Sequence, residues 1–349
     1  VATFSKNDSH YMSLALKLAR QGRDGVKANP MVGCVIVKDD QIIAKGYHKT
    51  FGEAHAEINA LEQINHQADG STLYVTLEPC SHQGKTPPCA QAIINASVQR
   101  VVIATLDPNP LVSGQGLALL EVANIQVNVG LLENEALMLN RGFIKRMQTG
   151  LPFVTCKIAM SLDGKTAMAS GESQWITGET ARTDVQHLRA KHQALMTGSG
   201  TILSDNPSMT VRLDASTVSP LRVVIDSRQQ IIDKTLNIFS DDAPTLILDP
   251  NNSKTLENGK LDLTDALKQL GDQGINTVLL EAGPNLIGAM VEAHLIDEFI
   301  IYTAPILMGS HANSMATLAL SAMADKIQLQ LIDIRMVGDD IRITANIKT

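Results

Sequence analysis

Cysteine is scarce in this sequence: Cys34, Cys80, Cys89 and Cys156 are the four in 349 residues. So few thiols in so long a chain do not make a disulfide framework, and each reads as a core residue or a metal ligand. Aromatic residues make up 3%, with Trp175 the single tryptophan, and 29 basic residues face 36 acidic ones for a formal net charge of -7. A surface built to neutralise phosphates or to stack bases calls for the opposite composition, so no nucleic-acid partner is expected. Long apolar runs are missing too. The longest stretch without Asp, Glu, Lys or Arg, residues 299–324, is interrupted by Pro305, Gly309, Ser310, His311, Asn313 and Ser314, which does not suit a membrane span. The opening residues Val1-Ala2-Thr3-Phe4-Ser5-Lys6-Asn7-Asp8 lack the basic and apolar regions of a signal peptide, so a cytoplasmic location is expected. No fixed-period repeat or low-complexity tract interrupts the chain.

What is present is alternation. The length suits about two domains at roughly 100–200 residues each. Apolar periodicity predicts a helix over 11–20, a hairpin over 31–38 and 41–47, a helix over 54–64 and a strand over 72–77. A helix around 90–96, a strand over 101–104, a helix around 117–123, a strand over 125–129 and a helical pattern over 133–147 follow. Gln148-Thr149-Gly150-Leu151-Pro152 is polar and Gly/Pro punctuation, and places a boundary between domains at 1–148 and 149–349. The second half predicts strands over 153–158, 222–226, 245–248, 277–281 and 298–302, with helices over 179–191, 263–270 and 285–293. Both halves therefore read as α/β layered domains.

The strongest chemical signal is His55-Ala56-Glu57, followed after one strand by Pro79-Cys80 and then Cys89. One imidazole and two thiolates make a three-ligand zinc set, and the fourth tetrahedral position can hold water. Such a metal lowers the pKa of that water towards neutrality and yields a hydroxide nucleophile, for which Glu57 is the candidate proton carrier. Apolar periodicity starts at Ala54 and again just past Cys89, so both halves of the set are expected where helices begin, which favours thiolate. A geometric difficulty accompanies this: residues two apart on a regular helix face different ways. A surface histidine beside two buried thiols is the ordinary alternative for such residues taken singly. Four elements in this order instead follow the pattern of zinc nucleobase deaminases, except that eight residues, 81–88, separate the cysteines where the commoner form has two.

That departure is informative. Pro79-Cys80-Ser81-His82-Gln83-Gly84-Lys85-Thr86-Pro87-Pro88-Cys89, with Asn29-Pro30-Met31-Val32-Gly33 and Asp107-Pro108-Asn109-Pro110, resembles the RibD family of bifunctional riboflavin-pathway pyrimidine deaminases and reductases. Lys157-Ile158-Ala159-Met160-Ser161-Leu162-Asp163-Gly164-Lys165, Gly171-Glu172-Ser173-Gln174-Trp175-Ile176-Thr177, residues 201–207, Val224-Ile225-Asp226-Ser227 and Glu281-Ala282-Gly283-Pro284 resemble its reductase domain. The resemblance implies a cytidine-deaminase-like three-layer domain followed by a dihydrofolate-reductase-like α/β domain. It also implies a deaminase pocket with Asn29, His48, Lys85, Thr86, Asp107 and Asn109 against the substrate. Asn or Asp before Pro is equally an ordinary turn residue, which leaves Asp107 and Asn109 open between the two roles.

Taken by itself, Glu281-Ala282-Gly283-Pro284-Asn285-Leu286-Ile287-Gly288 is a strand end, a tight turn and a helix start whose N–H groups can receive a phosphate. It lacks the full glycine fingerprint of a dinucleotide fold, so alone it is a weak signal. The resemblance implies NADPH here, against Ala159, Trp175, Thr201, Asp205 and Ser227, and against Gly283, Pro284, Asn285, Leu286, Ile287, Gly288 and Ala289. It implies substrate contacts from Ser173, Arg189, Met209, Arg212 and Glu281. Trp175 could equally be a core aromatic. Arg189 follows a stripe of Ala181, Val185 and Leu188 that reads as a helix face, and Arg212 follows a β-like Thr210-Val211 pair; either can be a solvated charge or a bidentate partner of a ribose phosphate. Cys34 and Cys156 lie in apolar runs and read as core thiols.

The function expected on this reading is hydrolytic deamination of 2,5-diamino-6-(5-phosphoribosylamino)pyrimidin-4-one with zinc. NADPH-dependent reduction of the ribosyl group of the product to ribityl then follows. The partners expected are these phosphorylated pyrimidines and, by resemblance, further copies of the chain in at least a dimer. Two other readings share the zinc motif: a nucleic-acid-editing deaminase, disfavoured by the acidic charge, and a structural zinc module with a nucleotide-sensing domain, which would need a closed four-ligand site.

Overall fold

A computed structural model describes residues 4–81, 88–109, 113–213 and 218–348. The chain divides into two compact units, Val1–Gly150 and Leu151–Thr349.

The first unit runs α1 (Lys6–Ala19), β1 (Gly33–Lys38), β2 (Gln41–Tyr47), α2 (Ala56–Leu61), β3 (Thr72–Val75), α3 (Cys89–Asn95), β4 (Arg100–Ile103), α4 (Gln115–Val122), β5 (Gln126–Val129), α5 (Glu133–Leu139) and α6 (Arg141–Thr149). Its sheet has the order β2-β1-β3-β4-β5, with β1 antiparallel to both neighbours and β3, β4 and β5 parallel. Side chains alternate across each strand. Cys34, Ile36, Leu73, Val75, Val101 and Ile103 pack under α2, α3 and α4, while Val35, Val37, Tyr74 and Val102 pack under α1 and α5. The result is three layers, helix on sheet on helix. α1 starts at a reciprocal cap, in which the Ser5 hydroxyl accepts from the Asp8 N–H and the Asp8 carboxylate accepts from the Ser5 N–H.

The helical pattern over 133–147 is two helices. The break falls at Asn140, which is buried and lends its amide to Met31, donating to the carbonyl at 2.9 Å and accepting from the N–H at 2.8 Å. That exchange fastens the segment after Asn29 to the end of the unit.

The second unit runs β6 (Phe153–Ser161), β7 (Lys165–Ala167), α7 (Glu179–Lys191), β8 (Ala194–Gly198), α8 (Ser199–Asp205), β9 (Leu221–Ile225), β10 (Thr245–Leu248), α9 (Leu263–Asp272), β11 (Thr277–Leu280), α10 (Pro284–Glu292), β12 (Glu298–Ala304), β13 (Asn313–Ser314), β14 (Leu329–Val337) and β15 (Asp340–Ile347). Eight strands order as β10-β9-β8-β11-β6-β12-β15-β14; the first six are parallel and the last two antiparallel. One face packs on α9 and α10, through Val154, Cys156, Met196, Val278 and Leu280. The other packs on α7 and α8, through Leu195, Val224, Leu279 and Tyr302. Parallel strands point their carboxyl ends the same way, and ligand clefts of such sheets form there. No helix among the described residues is long and apolar enough to cross a membrane.

Candidate active sites

His55, Cys80 and Cys89 each offer a ligand atom, and the three lie within 4.8 Å of one another. Local geometry explains how His55 and Glu57 can serve one place. His55 is the N-cap of α2, with extended backbone at φ -72° and ψ 170°, whereas Glu57 is already helical. An extended N-cap is not bound by the helical period, so the spacing of two is no obstacle. Cys89 opens α3, and its backbone N–H donates to the Cys80 sulfur at 3.3 Å.

The electrostatics ready one thiol of the pair to lose its proton, while the hydrogen bond to Cys80 and burial push the Cys89 thiol up. The Cys89 thiol, donating to Cys80, is the largest influence that draws the Cys80 thiol down to about 4, with His55 adding to it against burial. The hydrogen bond to Cys80 correspondingly raises His55. Burial pushes Glu57 up to about 7, helped by the Cys80 charge and opposed by His55. Glu57 is 3% exposed, and its Oε2 has no hydrogen-bond partner among the described residues. A buried oxygen left unpaired is costly unless a ligand or water meets it. Two sulfurs, an imidazole and a waiting carboxylate oxygen fit zinc with one open position.

Asn29 and His48 sit together beside this cluster, the His48 and His55 rings meeting edge to face with centroids 5.3 Å apart. His48 Nδ1 lies 3.1 Å from the Ala54 carbonyl oxygen, which only accepts, so Nδ1 carries the proton. Nε2 is therefore the acceptor of the Asn29 amide N–H at 3.0 Å. Both ring nitrogens are used, and burial holds His48 below its ordinary pKa, in the neutral form. His48 thereby holds the Asn29 amide, and two side chains that the resemblance places against the substrate form one hydrogen-bonded pair. Asp107 Oδ1 accepts from the Asn109 N–H at 2.8 Å, a turn that fixes together two residues the resemblance places on the substrate side. Lys85 and Thr86 lie outside the described residues.

The second unit holds a cleft of about 1570 Å³ lined by Ala159, Trp175, Thr201, Asp205, Ser227 and most of residues 283–289. Ser173, Arg189, Met209, Arg212 and Glu281 line it as well. Trp175 is 68% exposed there, with the Arg182 guanidinium 4.7 Å from its ring centre, and is no core residue. α10 starts at Pro284 after an extended Gly283, which as N-cap has no side chain to bond the first N–H groups and leaves them suited to a phosphate.

The chain matches two family models: the cytidine and deoxycytidylate deaminase zinc-binding region over residues 5–105, and the RibD C-terminal domain over residues 152–343. It is 47% identical to the riboflavin biosynthesis protein RibD of Escherichia coli K12, over 96% of this chain and 98% of that protein. Among solved structures it resembles Acinetobacter baumannii RibD, with a TM-score of 0.90, 42% identity and 99% of each chain covered. It also resembles a Thermotoga maritima diaminohydroxyphosphoribosylaminopyrimidine deaminase/5-amino-6-(5-phosphoribosylamino)uracil reductase, with a TM-score of 0.89, 32% identity, and 98% of this chain and 99% of that one covered. This chain belongs to the RibD family. It is a bifunctional enzyme of riboflavin biosynthesis, with an N-terminal cytidine-deaminase-like domain and a C-terminal RibD reductase domain.

Within that RibD framework Arg189 lines the cleft tied to a partner in the protein, and Gly288 departs from the cofactor contact the resemblance implied. Arg189 is buried, and its fork closes on Glu281, Nε to Oε1 at 2.7 Å and Nη2 to Oε2 at 3.1 Å, while Nη1 donates to the Thr210 carbonyl at 2.9 Å. Its bidentate capacity goes to a carboxylate of the protein; Arg212 stays exposed on the cleft. Gly288 does not line the cleft: a Cβ there would lie 2.0 Å from the Thr317 carbonyl oxygen, so packing demands the glycine.

One residue of the RibD cleft escaped the sequence reading. Lys157 Nζ lies 3.3 Å from Glu281 Oε2 and lines the same cavity. Burial alone would raise Glu281, yet Arg189 and Lys157 together hold it well below the usual carboxylate range. The signal was available in sequence, as the one charged residue, between Cys156 and Ile158, in a largely apolar strand.

Proposed function

We propose that the first domain deaminates 2,5-diamino-6-(5-phosphoribosylamino)pyrimidin-4-one at C2 and that the second reduces the ribosyl group of the product to ribityl. The observation that carries this reading is the three-ligand cluster with the unpaired Oε2 of Glu57 beside it. His55, Cys80 and Cys89 would hold zinc, which when bound supplies a water of lowered pKa. Glu57 would move one proton from the attacking water to the ring nitrogen as the C2–O bond forms, then take the proton of the new C2 hydroxyl and pass it to the amine as the C2–N bond breaks. Water and the diamine thus become ammonia and the C2 carbonyl. Burial of Glu57 and its elevated pKa suit a group that must both accept and return a proton. Asn29, held by His48, would orient the ring through its amide oxygen.

In the second domain NADPH would lie along Trp175, Thr201, Asp205, Ser227 and the start of α10, supplying two electrons as hydride. Glu281, fixed by Arg189 and Lys157, would meet the substrate, and exposed Arg212 would face its phosphate. The enzyme acts in the cytoplasm as a homo-oligomer. A coupled assay on zinc-quantified protein tests the reading. Ammonia release without NADPH, then NADPH oxidation that depends on the deaminated product, is expected; zinc-loaded protein with neither signal would overturn the substrate assignment.

A further inference from the structure

Behind the Cys80 loop lies a buried carboxylate that the chemistry above does not use. Glu78 is 5% exposed and stands two residues before Cys80. Its Oε2 accepts from the Asp107 N–H at 3.1 Å and the Gly114 N–H at 2.9 Å, and its Oε1 from the Gly116 N–H at 2.9 Å and the Leu117 N–H at 3.3 Å. Four backbone donors from two segments converge on one anion. Its own N–H donates to the Thr105 carbonyl at 3.0 Å, which ties the same strand end to the segment that leads into Asp107. Contact is close on the other side as well: a Cβ on Gly116 would lie 2.0 Å from the Pro79 carbonyl oxygen.

The charge matters because the N–H groups that open a helix carry partial positive charge, and α4 has no side-chain cap of its own at Gly114. Capping α4 would need only Gly114, Gly116 and Leu117. The bond from Asp107 reaches a different element, the turn in which Asp107 accepts from Asn109.

We propose that Glu78 is a positioning residue of the deaminase: it fixes the Asp107–Asn109 wall of the pyrimidine pocket relative to the loop that carries Cys80. Through that frame the bound ring is held in register with the metal and Glu57. The proposal rests on the reading of Asp107 and Asn109 as substrate-side residues.

The test compares wild type, Glu78→Gln and Glu78→Asp for zinc content, visible spectrum after cobalt substitution, deaminase kcat and KM on the phosphorylated diaminopyrimidine, and reductase turnover of the deaminated product. Glu78→Gln keeps size but turns one acceptor towards N–H groups as a donor. Its deaminase KM is expected to rise roughly tenfold while zinc, the cobalt bands and the reductase stay as in wild type, and Glu78→Asp recovers part of the loss. An unchanged KM overturns the proposal. So does joint loss of zinc and kcat, the outcome of a residue that only supports the ligand loop. If Glu78→Gln does not fold, Gly116→Ala, which forces α4 off Pro79 with the carboxylate intact, is judged by the same KM criterion. Wild-type protein without ammonia release overturns the substrate reading and the proposal together; an active wild type beside an unaltered Glu78→Gln overturns the proposal alone.

Discussion

Arg189 closes both arms of its guanidinium on Glu281, at 2.7 and 3.1 Å, in the wall of the reductase cleft. Removing one partner of a buried pair leaves the other charge stranded and costs about 3–5 kcal/mol. Arg189→Met is therefore expected to lower the thermal midpoint of the C-terminal domain and to abolish reductase turnover. Lys157→Met, which leaves the Arg189 fork in place, is expected to cost less stability and still impair turnover. Calorimetry with reductase assays on the deaminated product separates the two; equal stability losses would sink the ranking.

Glu57 and the metal ligands make separable predictions. Glu57→Gln is expected to retain zinc while deaminase kcat falls roughly 10²–10⁴-fold, the usual contribution of a positioned proton carrier. Cys80→Ser is expected to lose zinc and deaminase activity together, and chelation of wild type to do the same. In all three cases the reductase is expected to turn over supplied deaminated product at the wild-type rate. Metal analysis beside both assays checks this, and a zinc-replete Glu57→Gln that still deaminates at full rate would remove Glu57 from its role.

Local pattern made much of this legible. The helix predicted over 179–191 is α7 with the same bounds, and alternation in 31–38 and 72–77 led to β1 and β3, whose faces divide between two helical layers. Ligands were legible because their chemistry is intrinsic to residue type and order. β8 was not: Ala-Leu-Met-Thr-Gly is buried nearly throughout and made partly of helix formers, so no period of two appears. β14 escaped for the opposite reason, being exposed on both faces. The tasks of His48, Arg189 and Glu78 are set by partners 19, 92 and 29 to 39 residues away, which no local window contains.

β14 also underlies an expectation about assembly. It ends the eight-stranded sheet and exposes Leu331, Ile332, Ile334 and Met336 by 58, 52, 58 and 62%. An edge with unpaired backbone groups and an apolar row is a pairing surface. Light scattering after size exclusion is expected to give at least a dimer, and Ile334→Lys with Met336→Lys to shift it towards monomer without loss of deaminase kcat. A wild-type monomer at micromolar concentration would reject the expectation.

Acid stability is expected to depend on Asp8. Burial alone would raise its pKa, but hydrogen bonds from Arg100, from the Ser5 N–H and from the Tyr74 hydroxyl lower it to about 2. The unfolded chain binds the proton more tightly, so this carboxylate contributes stability that is fully present above its ordinary pKa and is lost as pH falls through about 2. A shift of this size corresponds to about 2 kcal/mol. Asp8→Asn should therefore be less stable than wild type at pH 7 by at least that order, since the Arg100 guanidinium also loses its partner. The gap between the two should narrow between about pH 4 and pH 2. Urea titrations of both proteins across that range measure it directly, and a gap that does not change with pH would show that the Asp8 charge contributes nothing to the fold.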